Sequence, residues 1–495
     1  MKLETGLPTF LPAPAEIRIL FPMQPVQRSP QRPGRIGVFG IGLAAYWPQF
    51  PGLKERLENY QREVERRLTG MEVEVISAGL VDSAPGAAAA GERLAGAGVD
   101  LLMCYVGTYA TSSQVLPAVQ RAKVPVLILN LQPVEALDYE KTDTGEWLAN
   151  CSACCVPEIS NAFCRARVPF RVVSGTLRGD PVAWGEIEDW CEAARAARSL
   201  RTARIGFLGH TYPGMLDMYS DFTMVTAQTG AHIEVLEMCD LERCVRSAGE
   251  AEVAAKIALA REMFQLEEVE QEELEWAARM AVGLDRLVEE FDLNGLTYYY
   301  RGLDGNLYER LGAGLILGNS LLTAAGIPAS GEGDLKTCVA MMILDRLGAG
   351  GSFTEFYAMD FRESFLLMGH DGPAHLAISD RKPVLRGLGL YHGKRGHGVS
   401  VEFNVKTGPV TLLAVTQTAE GSLKMITAEG ESIPGPILKI GNTNSRLRFR
   451  LGPREFVNAW CAEGPTHHCA LGVGRRQRTI ARLGDLLNLK VVSIC

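Results

Sequence analysis

Two carboxylates, Glu332 and Asp334, sit on a glycine turn in SGEGDLKT, directly ahead of the apolar run CVAMMILDRL. A third acid, Glu355, lies in GGSFTEFY. The chain has eight histidines, and six of them follow residue 369: His370, His375, His392, His397, His467 and His468. Histidine and carboxylate side chains together form a mixed nitrogen and oxygen donor set, suited to Mn²⁺, Co²⁺ or a similar divalent ion. Each residue taken alone has a plainer reading. Ser330 or Asp334 can cap the helix that follows, and an acid in a first turn favours the helix dipole. A histidine in MGHDG can close a turn, and a His-His pair can be surface. The combination raises the metal reading. GEGDLKT, GGSFTEFY, MGHDG and GPTHHC are separate, loop-like segments, and each joins a ligand-type side chain to glycine.

Two other motifs carry less. GIGLAA at 40–45 follows the strand-like RIGVF and matches the GxGxxG/A dinucleotide pattern. That pattern needs a helix to begin inside it, facing its N–H groups to a pyrophosphate. Pro48 and Pro51 delay any helix, and the next strand, MEVEVIS, ends without the expected acid, so the motif reads as an ordinary strand-to-helix turn. Cys151, Cys154 and Cys155, with Cys164 nearby, lack a second ligand pair at metal spacing, and they read as buried apolar cysteines.

These side chains need a scaffold. From Arg35 the chain alternates strand-like and helical segments: RIGVF, GLKERLENYQREVERRL, MEVEVIS, AAAAGERLAGAG, VDLLMCYVG, SSQVLPAVQRAK and PVLILN. Strands separated by helices imply a parallel sheet covered on both faces. The pattern restarts after residue 170 with RIGFLG, HIEVLEM and LNGLTYYY, and long charged helices lie between them. After residue 350 short alternating runs appear (VSVEFNV, VTLLAVTQT, SLKMITA, RLRFRL), the texture of an antiparallel barrel or sandwich. The expected architecture is α/β: two tandem open-sheet domains at 35–170 and 171–350, then a β-rich, barrel-like domain at 351–495 carrying much of the metal site. Residues 1–34 read as an extension or strap, because Pro8, Pro12 and Pro14 interrupt any secretion-signal core.

At 495 residues, several domains are expected. A net charge of −8 argues against a nucleic-acid surface, and the basic run Arg475-Arg476-Gln477-Arg478 reads as a solvated helix start. No apolar run approaches the roughly 20 residues of a membrane helix. Twelve cysteines without a disulfide pattern suit a reducing cytoplasm.

The four segments together resemble the L-arabinose isomerase family and, more distantly, L-fucose isomerase. The likeness rests on GEGDLKT (331–337), GGSFTEFY (350–357), LLMGHDG (366–372) and GPTHHC (464–469), with weaker similarity in SDFTMVTAQTGAHIEV and VPVLILNLQPVEAL. It implies two α/β domains followed by a barrel-containing domain, and aldose–ketose interconversion, usually with Mn²⁺. Carried over position by position, the metal ligands are Glu332, Glu355, His370 and His468, with Glu332 and Glu355 as the acid/base pair and the ion Mn²⁺, or Co²⁺ or Mg²⁺. His467 becomes a substrate contact, and Tyr357, Asp334 and Lys336 become supporting residues. The resemblance also implies a homo-oligomer, trimer or hexamer, in which the first domain of one subunit completes the site of another.

The chain departs from that family where the sugar is read. The family's G-S-Q-H-L-Y-G-like loop is here GIGLAAYWPQ, its H-T-F-like element is GTYATSSQ, and F-M-E-D-Y becomes FTEFY. The expectation is a metal-dependent sugar isomerase whose substrate is not simply L-arabinose, with Tyr46, Trp47, Tyr109 and Gln114 as candidates for the altered pocket. The alternatives are a non-catalytic sugar-binding or sensor protein, and a metal-dependent epimerase of a related sugar derivative.

Overall fold

The computed structural model describes residues 32–301, 306–388, 398–438 and 440–495. All but the last few residues of the expected N-terminal extension lie outside these, as do His392 and His397.

Buried apolar runs build the first sheet. Its strands are β1 (Gly34–Ile41), β2 (Val73–Val81), β3 (Leu101–Val106), β4 (Val126–Gln132) and β5 (Phe170–Thr176). All pair in parallel, in the order β2-β1-β3-β4-β5. Parallel neighbours need crossovers, and helices such as Leu53–Thr69 and Ala84–Gly96 supply them. Only a single 3-10 turn, Ala44–Tyr46, follows β1 directly, and the α-helix begins at Leu53 after Gly52, so GIGLAA has no α-helix N-terminus to offer a phosphate. The fifth strand lies across the boundary expected at residue 170.

The second sheet comprises β6 (Arg204–Gly209), β7 (His232–Leu236), β9 (Gly295–Tyr299) and the short β10 (Ala329–Ser330), parallel in the order β10-β9-β6-β7. Between them, β8 (Gln265–Glu267) leaves this sheet and pairs with β13 (Val384–Leu388), which pairs with β14 (Gly398–Glu402).

The remaining strands are β11 (Gly350–Asp360), β12 (Phe365–His370), β15 (Gly408–Gln417), β16 (Leu423–Ile433), β17 (Thr443–Phe449), β18 (His468–Val473) and β19 (Lys490–Ser493). Their order is β15-β18-β11-β12-β17-β16-β19, and a further pairing of β15 with β16 closes the first six into an antiparallel barrel. Closure removes exposed strand edges. The fold is therefore parallel-sheet α/β followed by a closed, mostly β unit with a few helices.

One helix joins the layers. Leu335–Arg346 is apolar nearly all round, and residues 335–344 are buried. A helix without a polar face belongs inside a core. It packs against β9, β11, β15 and β18, so the second sheet and the barrel share it. The arginines at 475–478 begin the helix Gln477–Leu487 and are ion-paired, Arg475 to Glu431 and Arg476 to Glu192. Cys151 and Cys155 are buried as expected, whereas Cys154 and Cys164 are exposed because they face out from their helical turns.

Candidate active site

Glu332 lies in the turn between β10 and the buried helix. Its φ is +62°, a left-handed conformation that non-glycine residues rarely hold. Three hydrogen bonds fix the turn: Tyr212 N–H donates to the Glu332 carbonyl at 2.9 Å, Gly333 N–H to the Tyr298 carbonyl at 2.9 Å, and Asp334 N–H to the Gly331 carbonyl at 3.1 Å. Gly333 is required here: its φ is +73°, and a Cβ would lie 2.5 Å from the His210 carbonyl oxygen. Asp334 caps the helix, its Oδ1 accepting from Thr337 N–H at 3.0 Å. Ser330 is not the cap; its hydroxyl donates to the Asp334 carbonyl.

The other three expected ligands are on barrel strands, not loops. Glu355 lies on β11, opposite His468 of β18 on one side and Gly369 of β12 on the other. His370 ends β12 and His468 begins β18. The glycines that suggested loops have packing duties: a Cβ on Gly369 would meet the Thr443 carbonyl oxygen at 1.9 Å.

The structure brings all four together. His370 Nε2 and His468 Nε2 face each other at 3.2 Å. Glu332 Oε2 lies 3.6 Å from His468 Nε2, and Glu355 Oε1 lies 4.0 Å from His370 Nε2. Ligand atoms of Glu355, His370 and His468 lie within 4.8 Å of one another, and so do those of Glu332, His467 and His468. His468 is shared by both groups. Both histidines are buried, while Glu332 and Glu355 keep side-chain exposures of 17% and 32%. Solvent thus reaches the site on the side of the two glutamates, although Glu332 Oε2 itself is buried, and the imidazoles form the inner wall.

The proton placement on His468 suits this arrangement. His468 Nδ1 lies 3.0 Å from Asp334 Oδ2 and donates to it, which leaves the Nε2 lone pair facing the carboxylates. Burial pushes the His468 pKa down to about 4, with His370 adding to the effect and Asp334 opposing it. Burial also works against charge on His370, but the adjacent Asp371 carboxylate, with Glu355 and Glu332, outweighs it and raises the pKa. Asp334 is itself completely buried; burial alone would raise its pKa, but the His468 hydrogen bond and Lys336 hold it below the usual range. Two carboxylates and two imidazoles converging on one small volume are a donor set that can hold a divalent cation.

The supporting residues divide. Lys336 is buried and donates to the carbonyls of Met218 and Tyr219 and to Ser220 Oγ, at 3.1, 3.2 and 2.9 Å. It clamps the 218–220 segment. Tyr357 sits at a register shift between β11 and β12, and its hydroxyl lies 2.9 Å from the Asn442 amide. A bulge beside a site re-aims a side chain. Tyr109 donates to Glu158 at 3.1 Å and Gln114 to the Asp82 carbonyl at 3.0 Å. Those partners belong to the first sheet's own surroundings, and neither residue joins the glutamate–histidine cluster among the described residues.

Two residues were not foreseen. Phe353 is buried, with its ring centroid 4.5 Å from His370 and 4.3 Å from His468. Its spacing of two from Glu355 on a strand is the signal that places both on one face. Asp217 Oδ2 accepts from the His467 backbone N–H at 2.9 Å and from its Nδ1 at 2.7 Å, which turns His467 Nε2 to within 3.9 Å of Glu332.

Residues 350–490 match the L-arabinose isomerase C-terminal domain family. The chain is similar to an L-arabinose isomerase of Shewanella baltica, 21% identical over 412 residues, which is 79% of this chain and 80% of that enzyme. The chain thus resembles the L-arabinose isomerase family, with the family match lying in its C-terminal part. The chain is also similar to a sulfoquinovose isomerase of Alkalicoccus urumqiensis, 22% identical over 299 residues, covering 60% of this chain and 66% of that one. A periplasmic solute-binding protein from Actinobacillus succinogenes, solved with bound D-allose, aligns over 60% of this chain and 95% of its own, at TM-score 0.17 and 13% identity, too weak a likeness to carry an argument. No helix among the described residues is long and apolar enough to cross a membrane.

Proposed function

We propose that this protein is a divalent-metal-dependent sugar isomerase that interconverts an aldose and a ketose through an enediol. The observation that carries the reading is the convergence of Glu332 and Glu355 on the His370–His468 pair. Glu332, Glu355, His370 and His468 would hold the ion, with Mn²⁺ the first candidate and Co²⁺ or Mg²⁺ the others. When bound, such an ion polarises the carbonyl and hydroxyl oxygens that exchange roles.

The chain's own groups handle the protons. Isomerisation moves one proton between carbons 1 and 2 and another between the two oxygens. A glutamate within reach of carbon can take the first, and a second glutamate can relay the other. Glu332 and Glu355 are both partly exposed, so a sugar can approach both. His467, aimed at Glu332 by Asp217, is placed to hydrogen-bond a sugar hydroxyl or to pass a proton to that carboxylate. Asp334 fixes the His468 tautomer.

The sugar is not simply L-arabinose, since the segments around Tyr46, Trp47, Tyr109 and Gln114 depart from the family pattern. The relative named for sulfoquinovose widens the candidates to sulfonated sugars. A homo-oligomer, trimer or hexamer, would let those residues complete a neighbouring subunit's site. Twelve free cysteines suit the reducing cytoplasm as its setting. The test is to strip the protein with chelator, restore Mn²⁺, Co²⁺ or Mg²⁺, and screen pentoses, hexoses, deoxysugars, uronates and sulfosugars for new ketose. Wild type should form ketose with solvent deuterium at C1, and Glu332→Gln should not. A fully active Glu332→Gln sinks the site assignment, and turnover without any deuterium wash-in sinks the proton-transfer route.

A further inference from the structure

The strands β6, β9 and β10 end side by side in a parallel sheet, at the carboxyl edge where open α/β sheets take ligands. Glu332 leaves the sheet just after β10. β9 leaves through Tyr299, Tyr300 and Arg301. Ser330 of β10 lies level with Thr297 of β9. Beyond that pair the acid turn leaves the ladder: Gly333 N–H donates to the Tyr298 carbonyl at 2.9 Å, which holds the turn beside the end of β9, and Arg301 follows β9 two residues after Tyr299.

Aromatic rings line this edge. Tyr212 and Tyr299 are 4.6 Å apart between centroids, His210 and Tyr299 5.1 Å, and His210 and Tyr300 6.2 Å. The wall is tied to the acid turn, because Tyr212 N–H donates to the Glu332 carbonyl. Glu332 and Arg301 both lie within electrostatic reach of the Tyr299 hydroxyl. Burial pushes that hydroxyl's pKa up to about 12, Tyr212 and Glu332 add to the push, and Arg301 opposes it. Such a wall suits the apolar face of a sugar ring.

Arg301 itself is exposed, and among the described residues no carboxylate lies within 4.0 Å of its guanidinium. An arginine of this kind is ordinarily a solvated surface group. Its position sets it apart: it lies at the ligand-binding edge of the sheet, beyond an aromatic wall that begins at the proposed proton-transfer acid. Its planar fork matches sulfonate, phosphate or carboxylate oxygens, two at a time.

We infer that the sugar carries an anionic group at the end remote from its carbonyl, and that Arg301 receives it. This rests on the isomerase reading above for the placement of the carbonyl end. The acids would then act at one end of the sugar while a fixed cation selects for charge at the other.

The test uses hexoses that bear at C6 a sulfonate, a phosphate, a carboxylate or a hydroxyl: sulfoquinovose, glucose 6-phosphate, glucuronate and glucose. Binding to the metal-stripped full chain is followed by calorimetry, and turnover is followed after metal is restored. At least one anionic sugar should bind wild type tenfold or more tightly than glucose, with an advantage that shrinks as salt is raised. In Arg301→Gln that ratio should fall at least tenfold, with Arg301→Lys intermediate and the thermal unfolding temperature of both variants unchanged. Which anion leads identifies the group. The inference is overturned if no anionic sugar is preferred, if none binds at millimolar concentration, or if Arg301→Gln keeps the wild-type ratio. Failure of the isomerase reading looks different: no sugar yields ketose with any metal, while the calorimetric ratio still reports on Arg301.

Discussion

Gly333→Ala separates a turn that merely starts a helix from one built to hold an acid. The alanine would be held at φ near +73°, which costs an L-residue about 1–2 kcal/mol. Its Cβ would also meet the His210 carbonyl oxygen at 2.5 Å and Thr211 Cα at 2.6 Å. Both are backbone atoms, so relief requires the end of β6 and the acid turn to move apart, an overpacking cost of about 1–3 kcal/mol. The sum, about 2–5 kcal/mol, is a large part of a typical net stability of about 5–15 kcal/mol. Gly331→Ala two positions earlier is the control. Gly331 is not among the positive-φ glycines, and its nearest neighbour would be the Phe353 ring edge at 3.3 Å, so the cost should stay within about 1 kcal/mol. Differential scanning calorimetry of both variants, with and without Mn²⁺, reads the outcome. Gly333→Ala should unfold several degrees lower and lose most of the Mn²⁺-dependent rise in unfolding temperature, because Glu332 moves with the turn; Gly331→Ala should do neither. If the two variants unfold at the same temperature, or if Gly333→Ala keeps the full Mn²⁺ effect, the tie between backbone strain and Glu332 placement is wrong.

Three further outcomes follow from the same geometry. Phe353→Ala removes the ring against His370 and His468 and should cost about 3–5 kcal/mol in urea unfolding, with weaker Mn²⁺ binding by calorimetry; wild-type affinity for Mn²⁺ would show that the ring does not position the imidazoles. Asp217→Asn should lower kcat on the order of tenfold with a smaller change in KM, since the His467 ring loses its charged anchor while its bulk stays; an unchanged kcat would remove His467 from the proton path. Lys336→Met keeps bulk but leaves the Met218 and Tyr219 carbonyls and Ser220 without their donor, and hydrogen exchange across 216–220 should quicken markedly; unchanged protection there would show that the lysine is not the clamp.

The parallel sheets were legible because runs such as LLMCYV and VLILNL are apolar throughout and bounded by helices of clear period. The donor set was legible as residue types, but its mounting was not. Glycines at 350, 351 and 369 gave β11 and β12 the texture of loops, whereas two of them hold positive φ and the third admits the Thr443 backbone. Glycine punctuation in sequence does not separate a turn from a strand packed too closely for a Cβ. Asp217 was invisible for a different reason: it pairs with His467 across 250 positions, and nothing local marks an exposed-looking acid in LDMYS as a partner. Cys154 and Cys164 point outward because their helical turns put them on the solvent side, which an unspaced cluster does not reveal.

The closed barrel has a consequence for how such a protein can change. Glu355, His370 and His468 sit on the neighbouring strands β11, β12 and β18 respectively, whose ladder fixes their spacing. The aromatic wall and Arg301 hang instead from strand ends of a separate sheet. A lineage, or a directed-evolution library, can therefore vary residues 210–212 and 299–301 without disturbing the three donors. Glu332 is the exception, since it comes from the same turn cluster as the wall. Inherited changes of specificity in this architecture should thus be cheap at every position of that rim except the one glutamate that belongs to both parts.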